Sequence, residues 1–339
     1  MKLLDLNDLD APHGRRLLEA TVAMGFSEPV ARAGLTAELD AWASPGALEA
    51  VCRELPGDLD DARTPASVLV IGARTLPASL MRAVLMARLL GARVCIKPAS
   101  GTEALAEALA AVDPAVSLSP FLSDDLEARA AAIAAADSVV VLGSDETVAS
   151  VRAAVPEDRG FVGYGHRLSV AWLDRDDEDA LTGLAHDLCA WDQAGCLSPQ
   201  VAWVTGDPQR LVRRLADAVR AVEATLPMTL PASASHARTS AKTYAEMMGS
   251  AVQTETALLA TLPTSAFRAS PGYRALWVLP ADRAALEAVA AHLSTVGVSG
   301  EAPEDLPAGV RVCAVGEMQR PPLSWLHDGR PNLLDMLRP

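Results

Sequence analysis

From Ala66 onward, short apolar runs rich in β-branched residues alternate with longer stretches rich in alanine and leucine. Val68-Leu69-Val70-Ile71 predicts a buried parallel strand, because such strands carry apolar residues on both faces. Gly72 to Pro77 reads as a turn, and Ala78 to Leu90 as a helix that Gly91 stops. Arg93-Val94-Cys95-Ile96 is the next strand, which completes a βαβ unit. Helices are predicted at Glu103 to Ala111 and Asp124 to Ala136. Ser138-Val139-Val140-Val141-Leu142 is a third strand, and it runs through Gly143-Ser144 into a helix ending near Ala154. This alternation argues for a doubly wound parallel sheet with its ligand edge at the carboxyl ends of the strands.

The flanking regions follow other patterns. Residues 1 to about 64 read as helices. Leu17, Leu18, Val22 and Met24 form an apolar stripe on one of them, and Ser44-Pro45 reads as a cap opening a helix over Gly46 to Glu54. The polar, turn-rich stretch from Pro56 to Pro65 reads as a linker. A second α/β layer is expected from Phe161. Its strands are Leu168 to Leu173, Gln200 to Val204, Ala275 to Leu279 and Val310 to Val315. Its helices are Asp177 to Trp191, Pro208 to Glu223 and Arg283 to Val296, with less regular chain up to Ser265. The expected division is therefore a helical segment 1–64, an α/β domain 65–160, a second α/β domain 161–325 and a tail 326–339.

Charge and cysteine usage narrow the function classes. A formal net charge of −14 over 339 residues disfavours non-specific binding to nucleic acid or to an anionic membrane. The cysteines at 52, 95, 189, 196 and 313 are widely spread, with neither a CxxC pair nor zinc-ligand spacing, so no metal site is expected. Free thiols in a reducing cytoplasm are the simplest account. The N-terminus lacks the apolar core of a signal peptide, and no apolar run is long enough to span a bilayer.

Candidate chemistry sits at the strand ends and on one loop. The first strand end carries Arg74, Thr75 and Pro77. The second carries Lys97, Pro98 and Ser100, and the third carries Gly143 and Ser144 at a helix N-terminus. Backbone N–H groups and the helix dipole there suit a phosphate, and Lys97 adds a positive charge. Each feature also has a plain structural reading, with Gly143 as a turn, Ser144 as a cap and Lys97 as a solvated strand end. The loop is Asp192-Gln193-Ala194-Gly195-Cys196-Leu197-Ser198-Pro199-Gln200, which follows a helix and enters a strand. A thiol held there can serve as a nucleophile once its surroundings favour the thiolate, or it can be a buried cysteine acting as a small apolar residue. His327-Asp328 reads as a turn aspartate beside an exposed histidine rather than as a catalytic pair.

These residues together resemble the acyl-CoA reductases of the LuxC type, a branch of the aldehyde dehydrogenase superfamily. The loop around Cys196 looks like that family's nucleophile loop. Gly165-His166-Arg167-Leu168-Ser169, Ser294-Thr295-Val296-Gly297-Val298 and His327-Asp328-Gly329 are similar to other family segments. Lys97-Pro98 and Gly143-Ser144 match the superfamily's cofactor motifs in order. The resemblance covers roughly Ala66 to the C-terminus. It implies an aldehyde-dehydrogenase-like fold of two doubly wound α/β domains with a helical N-terminal segment. It also implies a nicotinamide cofactor at Lys97, Ser100, Gly143 and Ser144, and an acyl-Cys196 intermediate formed from acyl-CoA or an acyl-protein and reduced to aldehyde. An acyl-transferring partner enzyme and a homo-oligomer are compatible with it.

Three departures from the superfamily pattern bear on the chemistry. No carboxylate stands in Gly163-Tyr164-Gly165-His166, where oxidising members carry a glutamate base. The oxyanion asparagine of the superfamily falls on Thr75. No acidic residue follows Lys97-Pro98 directly, which favours NADPH over NADH. Besides thioester reduction, oxidation of an aldehyde and a non-catalytic role in an acyl-transfer complex stay open.

Overall fold

The computed structural model describes residues 2–57, 59, 63–119, 121–122 and 124–339. Residues 58 and 60–62 of the expected linker lie outside the described residues. The chain forms two compact units, Met1–His166 with Pro322–Pro339, and Arg167–Pro321.

The first unit opens with helices α1 (Pro12–Ala23), α2 (Glu28–Ala43) and α3 (Ala47–Cys52). Ser27 caps α2 by accepting from the Val30 N–H, with Pro29 in the first turn. Ser44, expected to open a helix, instead closes α2, its Oγ donating to the Asp40 carbonyl (2.8 Å). Gly46, at φ 74°, stands before α3 in its place. Val22, assigned to the apolar stripe, is exposed, while Leu17 and Leu18 are buried. These helices belong to the first unit, with α1 against α5 and α2 against α4 of the sheet layer below. Glu38 of α2 and Arg82 form a buried ion pair at 2.9 Å.

The sheet layer runs β1 (Ser67–Ile71), α4 (Pro77–Leu89), β2 (Arg93–Lys97), α5 (Glu103–Val112), β3 (Val116–Leu118), α6 (Leu126–Ala134), β4 (Ser138–Leu142), α7 (Asp145–Arg152) and β5 (Gly160–Tyr164). The strand order is β3-β2-β1-β4-β5, all parallel, so the order reverses between β1 and β4. β1 and β4 are almost wholly buried, which is why they read as continuous apolar runs. β3 and β5 were not anticipated. β5 pairs with β4, so the first sheet extends past the boundary expected at 161. A Cβ on Gly160 would stand 2.4 Å from the Met336 carbonyl oxygen, so glycine lets the C-terminal segment lie against β5. Glu54 holds that segment by accepting from the N–H groups of Asn332 (2.7 Å) and Leu333 (3.0 Å).

The second unit runs β6 (Leu168–Leu173), α8 (Glu178–Cys189), β7 (Pro199–Val204), α9 (Pro208–Glu223), α10 (Ala232–Met248), β8 (Ser250–Gln253), β9 (Leu258–Thr261), β10 (Ala275–Pro280), α11 (Arg283–Glu287), β11 (Leu293–Ser299) and β12 (Arg311–Ala314). Its sheet has the order β12-β11-β6-β7-β10-β9-β8, and β8 alone runs antiparallel to its neighbour β9. The pleat sends alternate side chains to two cores. Ala171, Leu173, Ala202 and Val204 pack under α8 and α9. Val170, Val201, Trp203 and Trp277 pack on the other face. Two expectations fail here. The chain before Ser265 holds a long helix and a hairpin, and the helix expected over Arg283 to Val296 stops at Glu287 and gives way to β11.

Candidate active site

The loop carrying Cys196 begins where α8 ends. Asp177 caps the start of α8 by accepting from the Ala180 N–H (3.0 Å), and the buried Leu181, Leu184, Ala185 and Leu188 fix the helix on its core. After Cys189 the backbone enters the left-handed region at three successive residues, Trp191 (φ 51°), Asp192 (φ 51°) and Gln193 (φ 62°). For residues other than glycine this is costly, on the order of 1 kcal/mol or more each, and it persists only where the surroundings enforce it.

The enforcing contacts come from the start of β10. Asp192 Oδ1 accepts from Arg274 Nη2 (2.6 Å) and Nε (3.1 Å), with Arg274 wholly buried. The Gln193 amide accepts from the Ala275 N–H (2.8 Å) and donates to the carbonyls of Ala275 (2.6 Å) and Pro199 (2.8 Å). Behind Arg274, its Nη1 donates to Thr256 Oγ1 (3.0 Å), which donates to Glu223 Oε1 (2.6 Å). Burial pushes the Glu223 carboxyl up, but hydrogen bonds from Thr254, Thr256 and Ala257 outweigh it and hold it below its usual range. Burial lowers the Arg238 guanidinium, whose Nη1 reaches the carbonyls of Thr256 (2.5 Å) and Tyr273 (2.9 Å).

From this base the chain makes a tight turn, with the Ser198 N–H donating to the Gly195 carbonyl (3.1 Å). Cys196 is its second residue and is half-buried, while Leu197 and Ser198 are buried. Ser169 Oγ donates to the Cys196 carbonyl (2.7 Å) and accepts from the Thr295 N–H (3.2 Å). Gln319 Nε2 donates to Ser198 Oγ (3.0 Å). Three segments far apart in the sequence thus meet at the turn.

The other cysteines have different surroundings. Cys189 closes α8 and is wholly buried, which pushes its thiol up to about 12. Burial pushes Cys313 up to about 11. All five cysteines lie among the described residues, and none is disulfide-bonded.

The cofactor candidates belong to the first unit and share one sheet edge. Ile71 pairs with Lys97 on one side and with Val141 on the other, so Thr75, Lys97, Ser100, Gly143 and Ser144 all follow the carboxyl ends of three adjacent strands. Thr75 is exposed on the turn before α4. Lys97 is buried, which lowers its ammonium against the raising influence of Glu103, and its Nζ lies 5.7 Å from the centre of the Phe121 ring. Ser100 is exposed and does not cap α5, whose N-cap residue is Thr102. Glu103 turns back, its Oε2 accepting from the Gly101 N–H (2.8 Å), so a carboxylate stands closer to Ser100 than the sequence suggests. Ser144 does cap α7, accepting from the Thr147 N–H (3.3 Å). A Cβ on Gly143 would meet the Thr147 side chain at 3.2 Å.

The sequence profile of the family described as acyl-CoA reductase (LuxC) matches residues 60–339. The chain belongs to the LuxC acyl-CoA reductase family. Over 87 residues this LuxC-family chain is 30% identical to a long-chain acyl-protein thioester reductase 2 of Photobacterium leiognathi, a stretch covering 25% of the chain and 18% of that relative. Its fold is that of the aldehyde dehydrogenases. It is similar to aldehyde dehydrogenase 21 of Physcomitrella patens in complex with succinate, with a TM-score of 0.71 at 14% identity over 99% of this chain and 83% of that one. It is also similar to the NADP-dependent glyceraldehyde-3-phosphate dehydrogenase of Bacillus halodurans C-125 complexed with NADP, with a TM-score of 0.67 at 14% identity over 99% and 83%.

Several residues near the candidate segments have no role that the sequence assigns. Ser169 and Thr295 fall in segments noted as family-like, but their contact with the Cys196 turn is a tertiary one. Arg274, Thr256, Glu223 and Arg238 left no local signal. His327, expected to be exposed, is stacked on Tyr164 with ring centres 4.1 Å apart and lies 4.8 Å from the Trp325 ring. Burial, with nearby carboxylates adding to it, raises the Tyr164 phenol. The Gly163–His166 segment holds no carboxylate of its own, yet Asp145 Oδ1 accepts from the His166 N–H (2.8 Å).

Proposed function

We propose that this chain reduces a fatty acyl thioester to the aldehyde through an acyl group carried on Cys196. The observation carrying this reading is the braced turn that presents Cys196 half-buried, while Cys189 seven positions earlier is sealed in the core. The Cys196 thiolate attacks the acyl carbonyl, the bond to the donor sulfur breaks, and the donor leaves as a thiol after taking a proton. A bound nicotinamide dinucleotide supplies the hydride equivalent that the acyl-enzyme then needs. Collapse of the resulting thiohemiacetal breaks the bond to Cys196, regenerates the thiolate and releases aldehyde. Neither step needs a base to activate water, in keeping with the absence of a carboxylate from Gly163-Tyr164-Gly165-His166.

The residues at the sheet edge of the first unit fit such a dinucleotide. The order reversal between β1 and β4 makes the crevice where α/β sheets bind nucleotides. Gly143 and the α7 N-terminus would take the pyrophosphate, and Lys97 with Ser100 the adenosine ribose. NADPH is favoured because Ser100 is exposed, is not spent on capping α5, and has Lys97 three positions before it. Glu103 opposes a 2′-phosphate at this edge, so the preference rests on Lys97 and Ser100 outweighing it. Thr75 would stand where the superfamily places its oxyanion asparagine. The acyl donor is a CoA or an acyl-protein, the latter suggested by the name of the Photobacterium relative. A reducing cytoplasm suits a thiolate nucleophile, and among the described residues no helix is long and apolar enough to cross a membrane.

A second reading, aldehyde oxidation, draws on Asp145, a carboxylate that reaches the segment where oxidising relatives carry their base. Intact-mass measurement after incubation with acyl-CoAs of graded chain length tests the main reading. Acylation of wild type and Cys189→Ala but not of Cys196→Ala is expected, followed by aldehyde release on adding NADPH. Acylation lost in Cys189→Ala, or turnover only with aldehyde and oxidised cofactor, would overturn it. A protein that takes no acyl group from any donor would be a non-catalytic member.

A further inference from the structure

Two left-handed segments face each other beneath the Cys196 turn. One is residues 191–193. The other is Tyr273 (φ 54°) and Arg274 (φ 61°). They are joined by consecutive pairs, Asp192 with Arg274 and Gln193 with Ala275. Each segment holds a backbone conformation that ordinary residues avoid, and each supplies the partners that keep the other there. Asp192 lies four positions before Cys196, and only Ala194 and Gly195 separate the braced segment from the residue that carries the thiol.

We propose that Arg274 is a positioning residue for Cys196, acting through Asp192. This deepens the reading of Cys196 as the nucleophile and rests on it. The guanidinium is wholly buried and uses all three of its nitrogens: Nε and Nη2 on Asp192 Oδ1, and Nη1 on Thr256 Oγ1. The two donors of this rigid, planar group converge on one oxygen, so Oδ1 is held by two bonds at once, an arrangement that a lysine ammonium on its flexible stem does not reproduce. Thr256 in turn is tied to Glu223, so the arginine has a rigid backing on α9. With the guanidinium removed, Asp192 loses the partner that keeps it in the left-handed region while Gln193 keeps its own, and the turn bearing Cys196 shifts with Asp192. A purely structural role would make the protein less stable while leaving the thiol of the folded protein in the same place.

Iodoacetamide alkylation of Cys196, followed by peptide mapping across pH, separates the two roles because it needs neither acyl donor nor cofactor. It is run on wild type, Arg274→Lys, Asp192→Asn and the double variant, at a temperature where circular dichroism shows each folded. Asp192→Asn nearly preserves side-chain shape while removing the charge, so it perturbs the same pair from the other side. We expect Cys196 to be labelled about tenfold more slowly in both variants, as for groups coupled in one network, with a displaced pH midpoint. The double variant should lose little more than either single one. Lowered melting temperatures with unchanged labelling rate and pH midpoint would overturn the proposal while leaving the nucleophile assignment standing. A wild-type Cys196 that resists labelling at every pH would overturn both.

Discussion

Ser169 Oγ stands between two backbone groups, donating to the carbonyl of Cys196 at 2.7 Å and accepting from the N–H of Thr295 at 3.2 Å. One hydroxyl thus ties the turn that carries the thiol to the starts of β6 and β11. Ser169 and Thr295 are both wholly buried, so the Thr295 N–H has no ready substitute for the hydroxyl if it is lost. Ser169→Ala is expected to destabilise the protein by about 1–3 kcal/mol, the penalty for leaving buried polar groups unsatisfied. It should also slow iodoacetamide labelling of Cys196. Urea midpoints and labelling rates on the same preparations check both effects.

In the proposed reaction Thr75 would offer one hydroxyl at the oxyanion turn, on a side chain of shorter reach than an asparagine. Loss of one good oxyanion donor typically costs about 100-fold or more in rate. Thr75→Asn should therefore preserve or raise aldehyde formation from acyl-CoA, measured as NADPH consumption. A variant as inactive as Cys196→Ala would remove Thr75 from the oxyanion role.

The proposed preference for NADPH rests on Lys97 and Ser100 outweighing Glu103, and two variants test it. Ser100→Glu places a second carboxylate beside Glu103, and it should weaken NADPH binding far more than NADH binding. Glu103→Gln removes a charge and should do the reverse. Fluorescence titration of both cofactors on wild type and the two variants decides the matter, and equal affinities in the wild type would already defeat the preference.

Asp187 gives a pH signature to the second unit. It lies buried in α8 and accepts from the N–H groups of Gly316 (2.5 Å) and Met318 (3.1 Å). Burial pushes its carboxyl up to about 7, against the pull of those N–H groups and that of Gln319. The unfolded carboxyl titrates near 3.9, so between about pH 4 and 7 the folded chain holds the extra proton. The stability this contributes is fully present below about pH 4 and is lost as pH rises through about 7. Asp187→Asn should flatten that part of the stability profile. Denaturant midpoints of wild type and variant at half-unit steps from pH 4 to 8 would show the difference, and parallel profiles would refute it.

Legibility in the sequence followed the physics of each element. β1 and β4 were readable because strands buried on both faces leave apolar runs. β5 was hidden because Gly160 and Gly163 interrupt its run, and those glycines are required where the Met336 carbonyl and Val148 press against the strand. The start of β11, up to Val296, reads as helix because the alanines from Ala284 to Ala291 outweigh a strand whose buried residues include the polar Ser294 and Thr295. α10 leaves no apolar stripe, since its buried residues are only Ala234, Arg238 and Ala245. In the candidate site, Cys196 was readable from its loop. The bracing of that loop was not, because Asp192 and Arg274 are 82 residues apart and each alone resembles an ordinary surface charge.

The segment Pro322–Pro339 belongs to the first unit, yet it follows every residue of the second in the chain. Glu54 and Gly160 of β5 therefore wait for partners that a ribosome delivers only after Arg167–Pro321 has emerged. During synthesis the first unit passes through a period in which the part of β4 and β5 that the Leu334–Met336 turn packs against is bare. Contacts spanning some 280 residues also close slowly, because the intervening loop must be ordered first. The second unit, with two cores drawn from its own sequence, meets no such delay. Assembly of the protein thus has a built-in order, in which the unit begun first is finished last.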